Sequence, residues 1–300
     1  FIQMSQMLFR PLRQIADKFN TLQMGMVAAD RIFKILETQS SIENNGVLSP
    51  KALKGAIEFD QLRFSYIEGE EILHGISLEI NAGETVALVG ATGAGKSTII
   101  NLLSRFYEFD SGDITIDKIS IKEIELNALR KHVAVVLQDV FLFADSLFNN
   151  ITLFDPEISR EDVIVAAKKI GVHDFITSLP EGYDYNVKER GVMLSSGQRQ
   201  LIAFLRAYIT QPAILVLDEA TSSVDSYTEE IIQRAIDTLT DGKTSIVIAH
   251  RLATVKNADR IIVMDQGNIV EQGTHEELLK VPNGYYAKLY EVQFAESVPN

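Results

Sequence analysis

The eight residues from Gly90 to Ser97 constrain the fold of this chain more than any other segment. Their sequence is Gly-Ala-Thr-Gly-Ala-Gly-Lys-Ser, and it stands between an apolar run at 85–89 and a helical pattern from Ser97 to Phe106. A strand, a glycine-rich turn and a helix in this order make backbone N–H groups converge on phosphate oxygens. The segment, called the phosphate loop below, therefore predicts an α/β fold with a nucleotide at the edge of its sheet.

The residue types in the phosphate loop suit this chemistry. Glycine lets successive N–H groups point inward without a Cβ clash, and the following helix presents its positive end to the anion. Lys96 is expected to reach the β- and γ-phosphates, and the Ser97 hydroxyl to ligate Mg²⁺. The segment therefore predicts binding of ATP or GTP.

Polar residues end two other apolar strands. Asp218 and Glu219 follow the run 214–217, and His250 follows 245–249. Parallel strands deliver their last residues to the edge where the phosphate loop lies. We expect Asp218 to hold Mg²⁺ through water, Glu219 to orient or deprotonate an attacking water, and His250 to contact the γ-phosphate. A helix cap or a core position is the alternative interpretation for His250.

A second anion site is predicted at residues 194–198, which we call the signature segment. Its sequence Leu-Ser-Ser-Gly-Gln precedes a helical pattern, so small hydroxyl residues stand at a helix start. Such a start is an N-cap and also binds anions. Because the chain already has one complete phosphate cradle, the second suggests a phosphate from another molecule. The alternative is a helix cap with no ligand.

The composition argues against several classes of protein and kinds of site. The formal net charge is −13, which argues against a nucleic-acid partner because such surfaces cluster Lys and Arg. The chain has no cysteine, which excludes disulfides, thiolate zinc sites and a cysteine nucleophile. No window reaches the roughly 18 apolar residues of a membrane-spanning helix. We therefore expect a soluble chain.

The first 40 residues differ from the rest. Apolar residues recur there in steps of four and three, a pattern typical of a helix packed lengthwise on other helices. The alternative is an amphipathic helix on the domain's own surface. Pro11 predicts a kink or a helix restart, and residues 40–46 predict a linker. The recurring residues are Leu8, Leu12, Ile15, Phe19, Leu22, Met26, Ala29, Phe33 and Leu36.

The remaining chain has an α/β pattern. Half-buried strands are predicted around 57–66, and helices dominate between Asp139 and Arg206. Thr274 and Glu277 form a predicted capping box that starts a short helix. A helical insertion into a mostly parallel sheet is the simplest architecture. The predicted buried strands are 85–89, 133–137, 213–217, 244–249 and 260–264.

Together, the phosphate loop, Gln138, the signature segment, Asp218-Glu219, residues 222–225 and His250 resemble the ABC ATPase family in order and spacing, over about residues 55–295. The resemblance implies a P-loop NTPase core with a mostly parallel sheet, an antiparallel β subdomain and a helical subdomain at about 139–206. Residues 46–300 would form this domain. Residues 1–45 would be the cytoplasmic end of a last transmembrane helix and its linker.

The same resemblance implies a set of site residues. Two such domains would face head to tail, with ATP between one phosphate loop and the partner's signature segment. The catalytic residues would be Glu219, His250 and Lys96, the Mg²⁺ ligands Ser97, Gln138 and Asp218, and the dimer-interface residue Asp225. The nucleotide would contact Tyr66, whose ring would stack on adenine, together with Gly90, Ala91, Thr92, Gly93, Ala94, Gly95, Lys96, Ser97, Thr98 and Gln138. The partner's ATP would contact Leu194, Ser195, Ser196, Gly197 and Gln198.

Two stretches resemble exporters in particular. Residues 187–191 are similar to the acidic loop that contacts the coupling helices of exporters, and residues 11–33 to the end of the last transmembrane helix. The implied function is an ATPase that drives export of a lipid, drug or peptide, on the cytoplasmic face of the cell membrane. Its partners would be the transmembrane domain of the same polypeptide and a second ABC ATPase domain. An importer ATPase, a DNA-repair ATPase and a regulatory domain without turnover are the alternatives.

The chain departs from the family pattern at Ser196, where glycine is usual, and at 223–224, where Ser-Val replaces Ala-Leu. A positive φ at Ser196 would cost about 1 kcal/mol. This departure puts the strength of the ATP sandwich in question. Because Glu219 and His250 are both present, a hydrolytically competent site is expected.

Overall fold

The computed structural model describes residues 2–38, 42, 44–218, 226–249 and 252–293. The chain divides into two compact units, Phe1–Glu43 and Asn44–Asn300. The first unit contains one long helix, α1 (Ile2–Glu37). Pro11 lies inside α1, so the predicted helix restart is wrong: proline removes only one N–H donor, and the helix continues on both sides. Residues 40, 41 and 43 of the predicted linker lie outside the described residues, and residues 42 and 44–46 are in neither a helix nor a strand.

The second unit contains two sheets and a set of short helices. The strands are β1 (Ile57–Ile67), β2 (Glu70–Ile80), β3 (Thr85–Val89), β4 (Ser111–Ile116), β5 (Ile119–Ser120), β6 (Val133–Val136), β7 (Ile214–Asp218), β8 (Thr244–Ile248), β9 (Arg260–Asp265) and β10 (Asn268–Gly273). The helices are α2 (Lys96–Leu103), α3 (Leu126–His132), α4 (Leu147–Thr152), α5 (Arg160–Lys169), α6 (His173–Ser178), α7 (Ser196–Ile209), α8 (Ser226–Thr240), α9 (Leu252–Asn257), α10 (His275–Leu279) and α11 (Tyr285–Gln293).

The larger sheet has the order β10-β9-β3-β8-β7-β6. Strands β9, β3, β8, β7 and β6 run parallel, and β10 is antiparallel to β9. Leu88 of β3 and Asp218 of β7 both pair with Ile248 of β8, so these three residues are level across the sheet. The C-terminal ends of β3, β7 and β8 therefore meet at one edge, as the mostly parallel sheet of the prediction requires.

The smaller sheet has the order β2-β1-β4-β5 and is antiparallel throughout. Alternate residues of β1 are buried, among them Ile57, Phe59 and Phe64. Their side chains join those of β3, β7 and α2 in one hydrophobic core. This shared core fixes β1, which carries Tyr66, relative to the helix that follows the phosphate loop.

A helical region lies between β6 and β7, made of α4 to α7 and two 3₁₀ turns, Gly182–Asp184 and Glu189–Gly191. Its apolar side chains form one core with residues of the larger sheet and of α8, and α7 contributes Leu201, Phe204 and Leu205 to this core. The predicted capping box at Thr274 and Glu277 is confirmed at the start of α10. Within the described ranges, no helix combines the length and the apolar content needed to cross a membrane.

Candidate nucleotide-binding site

The phosphate loop joins β3 to α2 in a conformation that needs glycine. A Cβ at Gly90 would lie 2.2 Å from the carbonyl oxygen of Met264. Gly95 caps α2 with φ 99°, in the left-handed region, and a Cβ there would lie 2.8 Å from Leu73 Cδ2. The loop is thus pressed against β2 and β9 from behind, while Ala91 and Thr92 face solvent.

Lys96 places a buried cation over this loop. Its Nζ donates to the carbonyl oxygens of Gly90, at 2.7 Å, and Ala91, at 2.9 Å, and the residue is only 9% exposed. Burial lowers the pKa of Lys96, and the charge of Asp218 opposes that shift. An ammonium held away from water attracts an anion strongly, so a phosphate at this loop would offset the cost of burial.

Asp218 is the carboxylate whose charge acts on the Lys96 ammonium. It is the last residue of β7, partly buried and level with Leu88 of β3. Glu219 follows it directly in the chain, and His250 follows β8. Glu219, Asp225 and His250 lie outside the described residues, so their predicted roles stay predictions.

The predicted Mg²⁺ ligands are oxygen donors of the kind that this ion prefers. Ser97 is exposed at the start of α2, and Gln138 is exposed just after β6. In the part of the chain that the structure describes, no group of three or more His, Cys, Asp or Glu side chains could hold a metal. A hydroxyl, an amide and one carboxylate fit an ion that takes its other oxygens from phosphate and water.

Tyr66, near the end of β1, lies against α2. Its hydroxyl donates to Thr98 Oγ1 at 3.3 Å and accepts from Asn101 Nδ2 at 3.1 Å. Its ring stays 44% exposed beside Tyr107. The structure thus brings Tyr66 against the same helix that begins at the phosphate loop. Sequence reasoning missed Asn101 and Tyr107; the spacing of Thr98 and Asn101 on one helix face was the available signal.

The signature segment begins α7, as predicted. Ser195 is the N-cap: its Oγ accepts from the backbone N–H of Gln198, whose side chain accepts from the Ser195 N–H. Ser195 and Ser196 are exposed, and Gly197 is buried. Ser196 is the first residue of α7 and has right-handed helical backbone, so the penalty considered for serine at this position does not arise.

A cavity of about 390 Å³ opens on the helical region beside β6, and we call it the Arg206 cavity. The Arg206 guanidinium donates to the carbonyl oxygens of Asn150 and Phe141 and to Asn150 Oδ1. All three acceptors are neutral, and burial lowers the pKa of Arg206 to about 10. Other residues lining the cavity are Arg130, Leu137, Asp139, Phe141 and Leu153.

Comparison with known proteins gives a consistent result. The family model described as ABC transporter matches residues 73–222. An ATP-dependent lipid A-core flippase of Legionella pneumophila (strain Lens) is 46% identical over 286 residues, which are 95% of this chain and 48% of the flippase. A probable multidrug resistance ABC transporter ATP-binding/permease protein of Bacillus subtilis, YheH, is 45% identical over 98% of this chain and 43% of its own length.

A solved structure is similar to this chain as well. A bacterial Atm1-family ABC exporter, determined with ATP bound, superposes with a TM-score of 0.80 at 39% identity, covering 98% of this chain and 51% of that one. The chain thus spans about half the length of the relatives it matches. The motifs, the two sheets with their helical region and these similarities lead to one conclusion: the chain belongs to the ABC transporter family and has the fold of its ATP-binding domain.

Proposed function

We propose that this chain is the MgATP-hydrolysing motor domain of an ABC exporter. The observation that carries the proposal is the buried Lys96 ammonium, held over a glycine loop that cannot accept side chains at Gly90 and Gly95. A cation, converging N–H groups and a helix N-terminus at one point suit a triphosphate. Asp218 adds a carboxylate at the same sheet edge.

In the proposed reaction, water attacks the γ-phosphorus and the bond to the β–γ bridging oxygen breaks, giving ADP and phosphate. Lys96 neutralises charge on the β- and γ-phosphates, and Ser97, Gln138 and Asp218 would hold Mg²⁺. When bound, Mg²⁺ supplies positive charge to the phosphate oxygens. Glu219 orients or deprotonates the water, and His250 contacts the γ-phosphate.

A second domain would complete the site. The signature segment exposes Ser195 and Ser196 at the start of a 14-residue helix, so their side chains reach solvent. A γ-phosphate carried by another subunit would find there an N-terminal helix dipole and two hydroxyl donors. Two copies facing head to tail satisfy both half-sites at once, with Asp225 at their interface.

The transmembrane partner is inferred from apolar surface. Along α1, Leu12, Ile15, Phe19 and Leu22 are each more than half exposed. Apolar residues that recur along one helix and face solvent are typical of a surface that another protein segment covers. Relatives about twice as long as this chain leave room for such a segment, and we infer that it is the transmembrane domain of the same polypeptide.

The Arg206 cavity is a second surface for that partner. Phe141 and Leu153 line it and are about half exposed, and Phe154 beside them is exposed to the same degree. Leu153 and Phe154 both have left-handed backbone, with φ 51° and 63°. Leu153 is the C-cap of α4, a position where left-handed backbone is common, so the conformation belongs to the helix end. Contact with a partner segment would cover the exposed apolar side chains of all three residues.

As part of a transporter, this domain would lie on the cytoplasmic face of the cell membrane. ATP contacts both copies of the domain, so it favours the closed dimer, and loss of the γ-phosphate favours opening. The cargo, a lipid, drug or peptide, would be recognised by transmembrane helices of the longer polypeptide.

The test is hydrolysis by the Glu219→Gln variant, with Glu230→Gln as a matched control. Glu230 is an exposed acid in an ion pair with Arg234, a pair of small expected effect. We expect Glu219→Gln to lower kcat by about 100-fold or more while ATP still binds. Glu230→Gln should hydrolyse ATP like the parent chain. Unchanged turnover in Glu219→Gln would refute the role given to Glu219.

A further inference from the structure

The ring of Tyr66 belongs to a triangle of three aromatic rings, Phe64, Tyr66 and Tyr107, each in contact with the other two. The Phe64 ring packs on that of Tyr66 edge to face, with centroids 4.7 Å apart and planes at 85°. The Tyr107 ring does the same from another direction, at 4.9 Å and 88°. Phe64 is buried, whereas Tyr66 and Tyr107 are 44% and 46% exposed. The group therefore anchors Tyr66 in the core and leaves part of its ring open.

The hydroxyl of Tyr66 is fixed as well. It lies between Thr98 Oγ1 and Asn101 Nδ2 on α2. Thr98 is buried and Asn101 is partly buried. Residues three apart on a helix share a face, so α2 presents both groups to one point. Two ring contacts and two hydrogen bonds leave the Tyr66 side chain little rotational freedom.

The chain turn after α2 brings Tyr107 to this position. The Phe106 N–H bonds to the carbonyl oxygen of Asn101, and the Arg105 N–H to that of Leu102, the pattern of a Schellman motif. Arg105 stands at the left-handed position with φ 48°, where glycine is usual. Its buried guanidinium bonds to Glu108 and to the carbonyl oxygen of Ile121, which holds the turn despite the backbone strain.

Helix α2 therefore links the phosphate loop to the aromatic group. Its first residue is Lys96, its third residue, Thr98, accepts a hydrogen bond from Tyr66, and the turn after its last residue carries Tyr107. The contacts that fix Tyr66 thus come from the same helix that begins at the phosphate loop.

We propose that Tyr107 and Asn101 are positioning residues that hold Tyr66 ready to stack on the base of the nucleotide. The inference rests on the proposed function, in which Tyr66 stacks on adenine. A ring fixed before binding loses less side-chain entropy when the base arrives, which raises affinity. Tyr107 contacts Tyr66 and acts on the nucleotide only through it.

The test compares ATP with inorganic triphosphate, which has no base. Both are titrated with Mg²⁺ into the 300-residue chain and its variants by calorimetry. Tyr107→Leu removes the supporting ring, Asn101→Ala removes one tether, and Tyr107→Phe keeps the ring. We expect Tyr107→Leu to raise the Kd for ATP about five- to tenfold, as for loss of one aromatic pair, with the Kd for triphosphate unchanged.

Asn101→Ala should raise the Kd for ATP about threefold, again without effect on triphosphate, and Tyr107→Phe should bind like the parent chain. In hydrolysis, the KM for ATP should rise while kcat stays constant. Parallel losses for ATP and triphosphate would overturn the inference, because they would locate the damage in the phosphate loop. An unchanged Kd for ATP in Tyr107→Leu would overturn it too.

Tyr66→Ala separates this inference from the proposal beneath it. If Tyr66→Ala weakens ATP but not triphosphate, while Tyr107→Leu weakens neither, only the positioning role fails. If Tyr66→Ala leaves ATP binding unchanged, stacking on Tyr66 itself fails, and the positioning role with it. Absence of ATP binding in the parent chain would refute the proposed function.

Discussion

The phosphate loop and the signature segment each offer a helix N-terminus to an anion, and they differ in what surrounds it. At the phosphate loop, Lys96 is buried, its ammonium is hydrogen-bonded, and Asp218 ends β7, two strands away from β3 in the same sheet. At the signature segment, Ser195 and Ser196 face solvent and are bonded only within their own helix turn. The Lys96 ammonium at the phosphate loop is paired within the chain, whereas the serine side chains of the signature segment are exposed to solvent.

Backbone conformation differs between the phosphate loop and the helical region that contains the signature segment. The phosphate loop places its left-handed positions on Gly93 and Gly95, which adopt them without a steric penalty. The helical region places such positions on exposed residues with large side chains, including Leu153 and Arg190, at a cost of about 1 kcal/mol or more each. The signature segment itself has no left-handed residue, so the exposed start of α7 is unstrained.

The largest effect is expected at Lys96. Lys96→Ala removes the buried cation and should weaken ATP binding about 100-fold or more, because a charge-assisted contact to phosphate is lost in a dry site. Lys243→Ala is the matched control: burial also lowers the pKa of Lys243, but it packs on Tyr208 away from the loop. Equal losses of ATP affinity in the two variants, measured by calorimetry, would contradict the assignment.

Substitutions at two glycines of the phosphate loop distinguish the cost of a steric clash from the cost of a strained backbone conformation. Gly90→Ala puts a Cβ 2.2 Å from the Met264 carbonyl, whereas Gly93→Ala meets no atom within 4 Å. We expect Gly90→Ala to lower the free energy of unfolding by about 3 kcal/mol, and Gly93→Ala by about 1 kcal/mol through its positive φ. Denaturant titration measures both. A smaller loss for Gly90→Ala than for Gly93→Ala would show that β9 does not support the loop.

The helical region depends on one buried amide. Asn150 is fully buried, donates to the carbonyl oxygens of Phe143 and Ser146, and accepts from Arg206. Asn150→Ala should lower the free energy of unfolding by about 2 kcal/mol, because it leaves buried groups without partners. The exposed Asn127→Ala should change it by less than about 0.5 kcal/mol. Similar values for the two variants would contradict this account of the Arg206 cavity.

The smallest effect is a pH dependence at the phosphate loop. Burial lowers the pKa of Lys96 below its usual value of 10.5, so the folded chain loses this proton before the unfolded chain does. Between those two pKa values the unfolded state binds more protons, and stability gained from Lys96 rises with pH. ATP affinity should fall over the same interval, because the cation facing the phosphates disappears.

Two measurements check these opposite trends. The difference in unfolding free energy between the parent chain and Lys96→Met, followed with pH, cancels the titration of all other groups. The Kd for ATP of the parent chain, over the same range, gives the second trend. Stability and affinity that change in the same direction would contradict the placement of Lys96.

Buried features were the ones that the sequence predicted well. Strands β3, β7, β8 and β9 are continuous apolar runs, and each was predicted to within a residue or two. Strand β10 was missed because it lies at the edge of the sheet, with Glu271 and Gln272 among its six residues. Helix α2 ends at Leu103 and not at Phe106, because the Schellman turn at Arg105 carries no glycine to signal it.

The site residues show the same difference between features that local sequence predicts and features that depend on contacts distant in the chain. The phosphate loop and Asp218 follow from local sequence, because each stands at the end of a buried strand. Tyr107 and Asn101 do not, since their role depends on a turn geometry and on a contact with β1, more than 30 residues away in the chain. The Arg206 cavity could not be predicted from the sequence either, because its partly buried arginine bonds to backbone oxygens, which leave no sequence motif.

The central claim, that the signature segment completes the site of a second copy, is tested by the mass of Glu219→Gln in solution with and without MgATP, at rising protein concentration. We predict an ATP-dependent doubling of mass, abolished by adding Ser195→Arg, which should block the exposed start of α7 while ATP still binds. A chain that stays monomeric when saturated with ATP, or a doubling that survives Ser195→Arg, would contradict the claim.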